Sequence, residues 1–126
     1  MARSNPDTGL VFVQAHLWGP SENMVVEMAL DTGATSTLIS HAILRFLGYD
    51  PALSAERVNV TTGSGIEFAP RLSISKLEAL DLKRENLPVI VHTLPPSASV
   101  DGLLGLDFFR GHRLTLEFLA GEITLE

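Results

Sequence analysis

Period-two alternation between apolar and polar side chains, cut at short intervals by glycine, proline and asparagine, constrains this chain more than any other feature. Near the carboxy terminus Leu114, Leu116 and Phe118 alternate with Arg113, Thr115 and Glu117. Ile123 and Leu125 then alternate with Glu122, Thr124 and Glu126, and Ala120-Gly121 lies between the two runs. Successive side chains of a strand point to opposite faces, so the pattern predicts a hairpin with one apolar face. Val58 and Val60, then Ile66 and Phe68, repeat it around Gly63-Ser64-Gly65, a hairpin tip without a bulky side chain. Leu10 to Ala15 and Met24 to Leu30 flank the turn cluster Gly19-Pro20-Ser21-Glu22-Asn23 and read as a further hairpin. Leu72 to Leu80 alternates again, Pro88 to His92 supplies another strand, and Leu94 to Ser99 is a loop.

Two short segments break the strand pattern. Ser40 is placed to cap a helix whose apolar stripe is Ala42, Ile43, Leu44, Phe46 and Leu47, with Gly48 at its left-handed end and Pro51 forbidding continuation. Leu106 to Arg110 reads as a second short helix after Asp101-Gly102-Leu103-Leu104-Gly105. About seven or eight short strands with two short helices predict an all-β fold.

The 126 residues and 13.6 kDa fit a single domain over residues 1–126, with the polar residues 1–8 expected to be flexible. An apolar fraction of 45% excludes wholesale disorder, and a net charge of −6 excludes the positive field that nucleic acid or an anionic membrane would need. No cysteine is present, which removes disulfides, thiolate metal sites and a cysteine nucleophile. No uncharged apolar stretch approaches the roughly 18 residues of a membrane span. The start, Met1-Ala2-Arg3-Ser4-Asn5-Pro6-Asp7, lacks the apolar core of a signal peptide, so a soluble, cytoplasmic chain is expected.

The sharpest local feature is Asp31-Thr32-Gly33-Ala34-Thr35, directly after an apolar strand. A carboxylate at a strand end followed by a hydroxyl residue and a glycine makes a tight acidic turn. Asp7-Thr8-Gly9 repeats the three residues on a polar flank without a preceding strand and reads as a chance occurrence. Other chemistries find little support. His16, His41, His92 and His112 are scattered without an i,i+4 pair, so no metal site is expected. No Gly-x-Ser-x-Gly element is present for a serine triad. Asn59-Val60-Thr61 fits a glycosylation sequon by chance, Trp18 reads as a packing or interface residue, and Asp101 and Asp107 read as structural.

The order of these parts is distinctive: Asp31-Thr32-Gly33-Ala34 with Thr35-Ser36-Thr37-Leu38-Ile39-Ser40, a glycine-tipped hairpin, then Asp101-Gly102-Leu103-Leu104-Gly105-Leu106-Asp107-Phe108-Phe109. In this the chain resembles the retropepsin-like aspartic proteases, from about Leu10 to Leu125, and more closely their cellular and bacterial branch. The resemblance implies a small closed, barrel-like acid protease domain. It implies that Asp31, Thr32 and Gly33 are catalytic, with Thr32 bonding across a dimer axis and Gly33 allowing close backbone approach. Ala34, with Thr62, Gly63, Ser64 and Gly65 of a mobile flap, would contact an extended peptide. Leu103, Leu104 and Gly105 would brace the catalytic strand.

Aspartic proteolysis uses two carboxylates sharing one proton. A chain with one such turn in its fold pattern would obtain the second from another copy, as a C2 homodimer without metal or cofactor. The implied substrate is a peptide or unfolded protein with apolar residues at the cleaved bond, and the implied pH optimum is mildly acidic. The competing reading is a catalytically inactive dimerisation or peptide-binding module on the same fold.

Overall fold

A computed structural model describes residues 2–5, 10–62 and 65–126. The strands are β1 (Ala2–Asn5), β2 (Leu10–Trp18), β3 (Asn23–Leu30), β4 (Leu38–Ile39), β5 (Glu56–Thr62), β6 (Gly65–Ala79), β7 (Leu82–Val91), β8 (Gly102–Leu104), β9 (Leu114–Glu117) and β10 (Glu122–Leu125). The helices are α1 (His41–Leu47) and α2 (Leu106–Phe109). Pairing runs β2-β3-β8-β4-β7-β6 and returns from β6 to β2, which closes a six-stranded barrel with β1 and β5 added outside the ring. The fold is therefore all-β, as the alternation predicts.

Burial follows the pleat. Val13, Ala15 and Leu17 of β2 are fully buried while Gln14 between them is exposed. Met28, Leu77, Val89, Leu104 and Phe108 complete the barrel interior. The α1 signals are realised in detail: the Ser40 hydroxyl accepts from the Ile43 amide, and Gly48 ends the helix at φ 105°. Leu44 and Leu47 face the core, but Phe46, expected on the same stripe, is 54% exposed. A helix of two turns has room for a narrow buried face only.

The structure departs from the sequence pattern at four further places. Ala2–Asn5, expected to be loose, pairs antiparallel with Leu10–Val13 of β2. The strand expected at Pro88 begins earlier, at Leu82, because Leu80 and Asp81 form a tight turn with φ of 52° and 63°. Ile66–Phe68 and Leu72–Leu80, read as separate strands, are one continuous β6, in which Arg71, just after Pro70, pairs with both β5 and β7. Within β6 the buried set moves from Ile74 to Leu77 and Ala79, so the pleat changes phase at Ser75. There the Ser75 amide leaves the ladder and donates to the Tyr49 hydroxyl (2.7 Å), which itself donates to the Trp18 carbonyl (3.0 Å).

Trp18 lies on the outer surface, stacked on His16 at 3.6 Å with Lys76 over its other side at 4.0 Å. No helix of the described residues is long and apolar enough to cross a membrane.

β8 is the tightest fit in the barrel. It runs parallel to β3 and antiparallel to β4, wedged between them. A Cβ at Gly102 would stand 2.3 Å from the Leu38 carbonyl oxygen and 3.1 Å from the Met28 methyl. Gly102→Ala is therefore expected to lower stability by about 1–3 kcal/mol, the usual cost of overpacking a closed site. Urea titration at unchanged m-value measures it, and wild-type stability would contradict this packing.

Candidate active site

β3 delivers Asp31 to one end of the barrel. Its amide donates to the Leu104 carbonyl (3.0 Å), extending the β3–β8 ladder by one bond past the strand end. The chain then folds back sharply. The Ala34 amide donates to the Asp31 carbonyl (3.2 Å), and the Gly33 amide donates to the Asp31 side chain at Oδ1 (2.8 Å). One carboxylate oxygen is thus held and oriented by backbone. Asp31 is half-buried, and Thr32 and Gly33 are exposed.

The predicted brace lies beside this turn. Leu104 pairs with Leu30, the residue before Asp31, and Leu103 pairs with Leu38 on the other side. A Cβ at Gly105 would meet the Ser36 and Ala34 backbones at 2.7–2.9 Å, so only glycine fits where the segment crosses behind the acidic turn. The Leu106 amide donates to the Ala34 carbonyl (2.8 Å).

The most constrained polar cluster joins two residues whose part in the site was not read from the sequence. Thr37 is fully buried. Its amide donates to Asp107 Oδ2 (3.0 Å), its hydroxyl donates to Asp107 Oδ1 (2.7 Å), and that hydroxyl accepts from the Gly105 amide (3.2 Å). Asp107, read only as structural, ties the end of the acidic turn to α2. The available signal was a threonine at the head of the short apolar strand Leu38-Ile39. A hydroxyl there needs a partner. Arg84 fixes the other end of α2, donating from Nε to the Phe108 carbonyl (2.9 Å) and from its terminal nitrogen to that of Arg110. Asp101 has the structural place expected of it, accepting from the Glu27 amide (3.3 Å) where β8 begins.

In front of Asp31 lies a cleft of about 460 Å³. Asp31, Gly33 and Ala34 line one side, Leu38 and Ile90 the floor, and Val60 with its β5 neighbours the facing wall. The predicted flap is the β5–β6 hairpin. Thr62 pairs with Gly65, whose φ is 124°, while the tip residues Gly63 and Ser64 lie outside the described residues. The same holds for Asp7-Thr8-Gly9. Thr32 and Gly65 are not among the residues lining the cleft.

A larger groove, of about 570 Å³, runs beside Tyr49 and Leu53, but its Arg71 and Glu56 are paired with each other at 3.5 Å. Among the described residues no group of three His, Asp or Glu side chains is arranged to hold a metal ion.

An acidic turn on a barrel end, a glycine-bearing hairpin across a cleft and a brace strand behind the acid form the combination that the sequence led one to expect. Among curated proteins none matches the chain. The fold is shared with the crystal structure of a retropepsin-like aspartic protease from Rickettsia conorii, at a TM-score of 0.68 and 15% identity over 98% of this chain and 84% of that one. Residues 21–111 match the model of the family described as "gag-polyprotein putative aspartyl protease". With most of its length inside that match, the chain belongs to the retropepsin-like aspartyl protease family.

Proposed function

We propose that the chain is one protomer of a homodimeric aspartic endopeptidase, with Asp31 of each copy facing the other across a two-fold axis. The observation that carries this reading is Asp31 itself: a half-buried carboxylate, aligned by the Gly33 amide at the edge of a peptide-sized cleft. The described residues hold one such turn and so one carboxylate, and general acid–base hydrolysis of an amide by this route needs two. In the dimer the ionised member takes a proton from a water, and the protonated member donates to the scissile carbonyl. The water oxygen bonds to that carbon, and the C–N bond then breaks as the newly protonated acid gives its proton to the leaving nitrogen and the other takes one back from a hydroxyl of the tetrahedral adduct, which restores the pair.

Ala34, Leu38, Val60 and Ile90 are the apolar part of a lining that also holds Thr35, Ser36, Asn59 and Thr61, and these four would favour apolar side chains beside the cleaved bond. Thr32 would lock the paired turns, and the β5–β6 hairpin would close over an extended peptide and exclude bulk water. The β9–β10 hairpin suits a contact with the second copy. It forms a separate two-stranded sheet among the described residues, and Phe118 and Leu119 at its turn are 75% and 97% exposed.

The purified chain is expected to fragment an unfolded protein, with a bell-shaped pH profile centred on the acidic side. Specific activity should fall on dilution in parallel with dimer content measured by sedimentation. Peptide binding without any cleavage, by a chain that is dimeric, would favour the inactive binding module instead.

A further inference from the structure

The underside of the β5–β6 hairpin carries a charge that the proteolytic reading does not use. Residues paired across an antiparallel ladder share a face. Val60 lines the cleft together with Asn59 and Thr61, and its partner across the ladder, on the same face of the hairpin, is Glu67. The same face carries Val58 opposite Ala69 and Glu56 opposite Arg71. Burial gives its direction: Val58 and Val60 are half-buried and Ala69 is 4% exposed, whereas Phe68 and Ile66 on the other face are 75% and 69% exposed. At the base of the hairpin Arg71 is neutralised by Glu56 at 3.5 Å. Glu67, nearer the tip, is exposed, and no cation among the described residues is placed as its partner. Among the described residues no Lys or Arg lines the cleft either. The face turned toward a bound peptide therefore carries one net negative charge per protomer, on a chain whose net charge is already −6.

We propose that Glu67 makes the cleft selective for peptides that place a Lys or Arg side chain beneath the hairpin. The inference deepens the endopeptidase reading and rests on it for the peptide's position. Apolar walls select the side chains at the cleaved bond. Glu67 selects a basic one further along the strand, where the side chain leaves the apolar floor and its ammonium or guanidinium reaches the carboxylate. Closure of the hairpin removes water from around the pair and strengthens the attraction.

Binding is the readout, so that catalysis plays no part. Calorimetry on the Asp31→Asn protein would use extended peptides in which a single lysine is moved along an otherwise neutral, glutamine-bearing sequence. One register is expected where lysine tightens Kd by about fivefold over glutamine, with the advantage shrinking as salt is raised. Glu67→Gln should erase that advantage, and Glu67→Lys should transfer it to a glutamate peptide. A flat lysine scan, an advantage that survives Glu67→Gln, or no binding of any peptide would each overturn the proposal. Lysine-dependent binding by a chain that never hydrolyses peptides would instead remove the endopeptidase reading and leave the role of Glu67 standing.

Discussion

Asp31→Asn should reduce peptide hydrolysis by at least about a thousandfold while leaving the protein folded, because a general acid–base pair contributes on that scale. The substitution is close to isosteric, and the amide oxygen of asparagine can still accept the Gly33 amide that holds Asp31 Oδ1 at 2.8 Å. The Asp31 amide keeps its bond to Leu104, so the β3–β8 ladder is untouched. Unfolding curves for the two proteins should overlay.

The same variant tests whether the acids are shared between copies. Exchange of wild-type protomers with a ninefold excess of Asp31→Asn protomers would leave about a tenth of the wild-type protomers paired with their own kind. Activity should fall by about tenfold. A protomer that works alone would be indifferent to the mixture, and unchanged activity would therefore remove the shared dyad.

Much of the arrangement was legible in the sequence because it is local. The Ser40 and Gly48 signals of α1, the strand before Asp31 and the glycine-tipped hairpin each depend on a few adjacent residues with strong backbone preferences. What was not legible depends on partners distant in sequence. β4 is two residues long and exists as a strand only because β7 and β8 lie on either side of it. The turn at Leu80-Asp81 carries neither glycine nor asparagine, and its positive φ values are imposed by the β6–β7 ladder on both sides. The phase change at Ser75 had a visible trace, two polar residues between Ile74 and Leu77. Its cause, Tyr49, is 26 positions away. Asp107 was identified as structural from its place beside the brace, yet its target, Thr37, lies 70 positions earlier.

That long-range pair supports the second large effect, from Asp107→Ala. Two donors of Thr37, its amide and its hydroxyl, end on the two oxygens of one carboxylate, and Thr37 is fully buried. Alanine leaves both donors of the buried Thr37 without their protein acceptor. Each such orphan costs about 1–3 kcal/mol, so a loss of about 2–5 kcal/mol is expected. Thr37→Val removes the hydroxyl and keeps the shape, which leaves the amide as the sole donor facing the carboxylate. It also leaves the Gly105 amide without its acceptor, so a loss of similar size is expected, and the double variant should fall well short of additivity because both changes break one network.

Activity should report the pair as well. The Thr37 hydroxyl also receives the Gly105 amide, and Gly105 packs against Ser36 and Ala34 at the end of the acidic turn. A displacement of about 1 Å at a reacting group can cost about a hundredfold in rate. Asp107 is thus a positioning residue, and its loss should lower kcat by about 10- to 100-fold with KM little changed, measured well below the variant's midpoint. Asp107→Asn, whose oxygen can still accept the Thr37 amide, should recover part of kcat. Full kcat in folded Asp107→Ala protein would show that the turn holds Asp31 in place without this clamp.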